Sequence, residues 1–274
     1  MTTTAIPLGK RSQAAIALVT LIGLMAFLWP LVSAPQSAVI AHASDAPLLF
    51  ALLVPLLLVV VLAQLADGDM NAKSVAMLGV LTAVISALRP LGGGVAGIEP
   101  IWAVLILGGR ALGPGFGFSL GAISMFSSAL ITGGVGPWLP FQMVAAAWVG
   151  MGAGLLPPMK GRRELVMLAA YGAVACLAFG FLLNLWFWPF TAGLPAQVAF
   201  IPDASMVEHL AAWVRFSLIT SLGFDIPRAA LTVVVIFIAG TPLLSALRRV
   251  ARRAAFGAEP RFENPVESAP AIPA

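Results

Sequence analysis

Arg89 and Glu99 flank the loop Gly92-Gly93-Gly94 in a chain where only 9% of residues are charged. A guanidinium and a carboxylate at the edge of an apolar region can grip a polar ligand, and both types form strong charge-assisted hydrogen bonds. A second constellation runs Gly133-Gly-Val-Gly136-Pro-Trp138-Leu-Pro140-Phe141-Gln142-Met143 and ends near Trp148. So much Gly and Pro cannot be the interior of a membrane helix. The segment reads as a loop followed by a helix start, with Pro140 in the first turn where its missing N–H costs little. Trp138 offers a broad apolar face with one donor, and Gln142 offers both donor and acceptor. Together they suit a large, partly aromatic, neutral or zwitterionic ligand. An interfacial tryptophan anchor at a helix start would account for the same residues without a ligand. Arg89, Glu99, Trp138, Gln142 and Trp148 are the candidate substrate-binding residues.

Other charges close to apolar segments are Arg110, Arg215, Asp225 and Arg228. They read either as interface anchors whose long side chains reach the headgroups, or as the rim of a cavity opening outward. The aromatic run Trp186-Phe-Trp188-Pro-Phe190 reads first as belt residues at a span end. Enzyme signatures such as HExxH, G-x-S-x-G or a P-loop are absent from the sequence. Gly108 to Gly117 is glycine-rich but lacks the Lys-Ser/Thr of a nucleotide loop. Asp67, Asp69 and Lys73 are the compact set an embedded enzyme could use, and they read better as a loop. Cys176 is the one cysteine, and His42 and His209 are far apart. No metal, no cofactor and no catalytic role is expected.

These residues must be positioned by helices in lipid. Hydrophobic residues make up 60% of the 274, more than the interior of a soluble protein this size can hide. The composition excludes an ordinary soluble enzyme, a disordered tail and a nucleic-acid binder, and fits an all-α polytopic membrane protein. Eight apolar spans are expected: Ala14 to about Val32, Ala46 to Leu65, Ser74 to Leu88, Pro100 to Gly109, Pro114 to about Ile131, Pro140 to Leu156, Leu165 to Phe190 and Ile226 to Leu247. The first mimics a signal peptide but reads as a retained helix. Leu210 to Leu222, interrupted by Arg215, reads as an interfacial or loop helix. Residues 251–274 read as a disordered cytoplasmic tail.

With both termini in the cytoplasm, twelve of the 15 Lys and Arg fall inside, and Arg89, Arg215 and Arg228 fall outside. That is a strong positive-inside bias. The short fourth span is needed, because removing it would turn the Lys160 and Arg248 clusters outward. Gly113, Gly117 and Gly121 share one helical face, as do Ala146, Gly150 and Gly154. Small residues at this spacing let helix backbones approach closely.

The stretch from Ala72 to Pro157 resembles the substrate-specific S components of energy-coupling factor (ECF) vitamin transporters. Ala72-Lys-Ser-Val-Ala76 is similar to the Ala-x-x-x-Ala element of their first core helix. Pro100 to Gly117 is similar to their short second helix and its Gly-Pro break. Gly136-Pro-Trp-x-Pro-x-Gln-Met143 is like the loop of S proteins assigned to cobalamin or related compounds. The resemblance implies a six-helix substrate-binding core over about 71–250 and two extra N-terminal transmembrane helices within 1–70. It implies vitamin capture on the outer side of a bacterial inner membrane, with docking on a T-type coupling subunit and two ATPases. It also implies a flat partner-coupling surface from Ala72, Ala76, Gly113, Gly117 and Gly121. The competing readings are a self-sufficient small-molecule permease, which would need buried ionisable groups for ion coupling, and a membrane-embedded enzyme.

Overall fold

A computed structural model of the chain describes residue 6 and residues 8–32, 53–67, 70–92 and 97–253. The start of the second expected span, Gly93 and Gly94, Asp69 and residues 254–274 lie outside the described residues. Within them the chain is entirely helical apart from its connections. The helices are α1 (Lys10–Val32), α2 (Leu53–Ala66), α3 (Ala72–Leu88), α4 (Ile101–Leu112), α5 (Pro114–Thr132), α6 (Leu139–Leu155), α7 (Gly161–Phe187), α8 (Met206–Thr220) and α9 (Leu222–Arg253). Short 3-10 turns follow α3 at Arg89–Gly92 and α7 at Trp188–Phe190.

Each expected apolar segment overlaps one of these helices, and the interrupted patch near Arg215 falls in α8. Five helices, α1, α3, α5, α7 and α9, are long and apolar enough to cross a membrane. The others are shorter. α4 has 12 residues and rises about 18 Å, against about 30 Å of hydrocarbon. The protein is an all-α polytopic membrane protein. Large apolar side chains such as Leu18, Leu21 and Met25 on α1 and Val234, Phe237 and Ile238 on α9 are more than one-third exposed. Lipid, not water, is the solvent that tolerates such surfaces.

Local chemistry sets the boundaries. Asn71 caps α3 by accepting from the backbone N–H groups of Lys73 and Ser74 at 3.1 and 3.0 Å, a common way to satisfy the first turn of a helix. Gly113, with φ of 116°, separates α4 from α5, and Pro114 opens α5. α5 stops at Gly133, whose φ of 67° is left-handed. Ser205 and Glu208 form a reciprocal capping box at the start of α8.

The two small-residue faces expected in the sequence meet each other. A Cβ at Gly117 would collide with the backbone of Gly150, and one at Gly121 with the backbone of Ala146. Gly154 lies equally close to Pro114, and Gly109 to Gly150. α5 and α6 therefore touch backbone to backbone, which hydrocarbon-exposed helices use in place of a hydrophobic driving force. α1 crosses α6 at Gly23, which leaves room for Val144 and Trp148. Its Phe27 sits against Phe141 and Trp148 at ring distances of 5.0 and 5.7 Å. α2 is tied to α5 by Gln64, which donates to the Gly115 carbonyl at 2.9 Å and accepts from the Ser119 hydroxyl at 3.0 Å. Those bonds satisfy a fully buried amide.

Candidate functional site

The charged residues sort to the two ends of the bundle, marked by the two ends of α4: Glu99 just before it and Arg110 in its last turn. At the Glu99 end, Arg89 closes α3 and points across the bundle. One nitrogen, Nη1, donates to the Ser128 hydroxyl at 2.6 Å and to the Met125 carbonyl at 3.3 Å, both on α5. The other, Nη2, donates to Gln142 Oε1 on α6 at 2.8 Å. Two residues picked out from sequence, Arg89 and Gln142, are thus brought into direct contact across three helices.

Glu99 makes a separate cluster. Its Oε2 accepts from Trp102 Nε1 at 2.8 Å and from Arg228 Nε at 3.0 Å. Arg228 also donates to Asp225 Oδ1 at 2.6 Å. The Arg228 guanidinium lies 5.7 Å from the centroid of Trp102 and 5.4 Å from that of Phe179, within cation–π range. Asp225 and Arg228 are not free interface anchors, since both are held in this cluster. Asp225 is 1% exposed, and its carboxylate occupies the space where a side chain at Gly180 would project. Gly97 packs with equal closeness on the backbone of Phe224 and Arg228, at a φ of 71° that glycine adopts without strain. It pins the loop before α4 to the start of α9.

Several buried polar atoms at this end have no hydrogen-bond partner: Asp225 Oδ2, Asn184 Nδ2, Ser217 Oγ, and the indole nitrogens of Trp186 and Trp213. Such groups are costly to bury unpaired and call for a reason. Sequence reasoning missed Ser128, Trp102, Asn184 and Ser217. The signal it could have used is Asp225 and Arg228, three residues apart in the first turns of an apolar helix, where a charged pair needs partners.

The remaining candidates lie elsewhere. Trp138 donates to the Gly134 carbonyl at 3.0 Å, lies over Gly136 and is 40% exposed. Trp148 turns away from Gln142 and toward α1, donating to Thr20 Oγ1 at 3.2 Å. The aromatic run after α7 packs inward: Trp188 is fully buried and donates to the Val198 carbonyl at 2.6 Å. Phe200 stacks on His209 at 4.7 Å. His209 Nε2 lies 2.7 Å from the Ile201 carbonyl; a carbonyl only accepts, so that nitrogen carries the proton.

The five residues expected to form a partner surface divide. Ala72 and Ala76 are exposed, on a flank of α3 that continues through Gly79 and Ala83. No atom comes within 4 Å of the Cβ position at Gly79. Gly117 and Gly121 are spent inside the molecule in the α5–α6 seam, and Gly113 is buried at the α4–α5 break. A surface made jointly by all five is therefore not present in this conformation.

At the opposite end, Glu164 of α7 accepts from Arg110 Nε at 2.7 Å and from Arg248 at 2.6 and 3.0 Å. Arg110 also donates to the carbonyls of Leu156 and Pro157 at 2.8 and 3.1 Å. Among the described residues there is no group of three or more His, Cys, Asp or Glu that could hold a metal ion.

No curated protein and no solved structure matches the chain. Residues 73–240, more than half of it, match the family described as ECF transporter, substrate-specific component. The chain belongs to that family of membrane-embedded, non-enzymatic transport components.

Proposed function

We propose that this chain is the substrate-capturing subunit of an ECF-type importer in a bacterial inner membrane. The Glu99 end faces outward and both termini are cytoplasmic, as the distribution of Lys and Arg favours. Arg89, Glu99 and Gln142 contact the substrate. Trp138 forms an exposed edge of the site, and Trp148 holds α6 against α1 from behind. The substrate is a vitamin-type molecule, and the Gly136–Met143 loop favours cobalamin or a precursor. The observation that carries the reading is Arg89: a guanidinium reaching into the end of a helix bundle and held by groups from two other helices, in a chain of this family. A cation at membrane depth is retained for a purpose.

Delivery requires a T-type transmembrane subunit and two ATPases, which dock on the exposed small-residue flank of α3 at Ala72 and Ala76. Co-expression with the T subunit and both ATPases and purification through this chain tests it. Recovery of the T subunit and both ATPases, lost in Ala76→Trp, is the expected result. Substrate uptake by vesicles containing this chain without any ATPase would refute the proposal. For the site, Gln142→Ala should weaken substrate binding; unchanged affinity would remove Gln142 from it.

A further inference from the structure

Arg89 and Arg228 lie with Glu99 and Asp225 at the Glu99 end of the bundle, two charges of each sign that are unevenly paired. Arg89 is bonded to neutral groups, the Ser128 hydroxyl, the Met125 carbonyl and the Gln142 amide oxygen. Among the described residues it makes no ion pair, and Glu99 reaches it only as a longer-range attraction. The opposite holds on the far side of the cluster. Glu99 and Asp225 share the single guanidinium of Arg228, and Asp225 Oδ2 is left without a donor although the residue is 1% exposed. Ser221, whose hydroxyl lies 3.0 Å from the Ser217 carbonyl, is the one hydroxyl beside this carboxylate among the described residues. Asn184 stands one turn along α7 from Gly180, the residue over which the Asp225 carboxylate lies, and its Nδ2 is also without a partner. Ser217, fully buried on α8, adds an unpaired hydroxyl.

A cation lacking an anion on one side and a buried carboxylate oxygen lacking a donor on the other describe a dipolar receptor. Each orphan costs free energy in a low-dielectric site until it is paired. We infer that the substrate is amphoteric: an anionic oxygen group, carboxylate or phosphodiester, sits on Arg89, and an N–H donor sits on Asp225 Oδ2, beside an acceptor for Asn184. The inference rests on the reading of this end as the substrate site and narrows it to molecules carrying both groups. The rings of Trp102 and Phe179, 4.4 Å apart, both lie against the Arg228 guanidinium.

The test is a binding titration of the purified full-length chain in nanodiscs. Biotin and pantothenate supply a carboxylate with N–H donors, and cyanocobalamin supplies a phosphodiester with amide N–H donors. Their counterparts without the anion are biotinamide, pantothenol and dicyanocobinamide. Thiamine and riboflavin complete the panel as compounds with no anionic oxygen group. One anionic compound should bind, and its counterpart should bind at least about tenfold more weakly, the loss of one charge-assisted contact. Arg89→Gln should show the same loss for the anionic compound and little further loss for the counterpart, with Arg89→Lys between. Asp225→Asn should weaken both members of the pair alike; should that variant fail to fold, Asn184→Leu carries this arm. Preference for thiamine or riboflavin, or equal affinity for an anion and its counterpart, overturns the inference and leaves a substrate-capturing subunit standing. Binding of no compound by a chain that still co-purifies with its coupling subunits overturns the inference alone. Loss of both binding and co-purification overturns the functional reading beneath it.

Discussion

Substituting Glu164→Gln removes a carboxylate that is 2% exposed and that holds two arginines from different helices. The two are not equally dependent on it. Arg248 has 35% of its side chain exposed and can turn to solvent at little cost. Arg110 has 8% and is fixed by the Leu156 and Pro157 carbonyls, so its charge stays buried with no counter-ion. Breaking one partner out of a buried pair costs about 3–5 kcal/mol. The two carbonyl bonds that Arg110 keeps place this case at the lower end, about 3 kcal/mol, or on the order of a hundredfold in the unfolding equilibrium. Cys176 supplies the assay: it is the single cysteine of the chain and is fully buried, so a thiol-reactive fluorophore reports unfolding directly as the protein is heated. The wild type should label late and Glu164→Gln early. The double variant Glu164→Gln with Arg110→Gln should recover part of the loss, because it removes the stranded charge. A double variant as unstable as the sum of the two single ones would refute the reasoning, since the cost would not come from an unpaired guanidinium.

Gly121→Val should force α5 from α6 and lower the labelling temperature, by an overpacking cost of about 1–3 kcal/mol or more. Gly79→Val, on the open flank of α3, should label as the wild type does. Asp67 joins α2 to the start of α1, accepting from the Ser12 backbone N–H at 2.8 Å and hydroxyl at 3.0 Å. The Ser12 backbone N–H, more than any other group, holds its carboxyl below the usual range. A carboxylate with a lowered pKa contributes stability that is complete above its unfolded value and is lost as pH falls through the folded value. Acidification below the ordinary aspartate range should therefore loosen α1 from α2, read as faster proteolysis between them. Asp67→Asn should abolish that pH dependence.

The helices were legible because lipid imposes a simple rule of length and polarity, and Pro140, Gly133 and Pro114 mark their ends by backbone chemistry alone. The pairing of two glycine faces was half legible. Spacing revealed both faces, but not that they meet each other, which depends on how α5 and α6 cross. For the same reason Gly117 and Gly121 looked available to a partner. The site was legible in its parts. Arg89, Glu99 and Gln142 stood out as polar residues at span ends, yet Arg228 meets Glu99 across 129 residues of sequence, and no local pattern encodes that distance. Trp148 misled because an aromatic close to Gln142 in sequence sits on another face of α6, nearly two helical turns further along, where α1 claims it.

The backbone contact between α5 and α6 makes those two helices a ruler. With carbonyls of one helix resting where side chains of the other would be, the two backbones are at closest approach and leave no room for a side chain at Gly117, Gly121 or Gly150. A rearrangement that admits or discharges cargo is then expected between this pair and α3 or α9 rather than within it. Spin labels placed across α5 and α6 would then supply an internal standard. A label pair from α6 to α9, measured in the same preparation, would register the motion itself, free of the uncertainty that detergent and lipid bring to absolute distances.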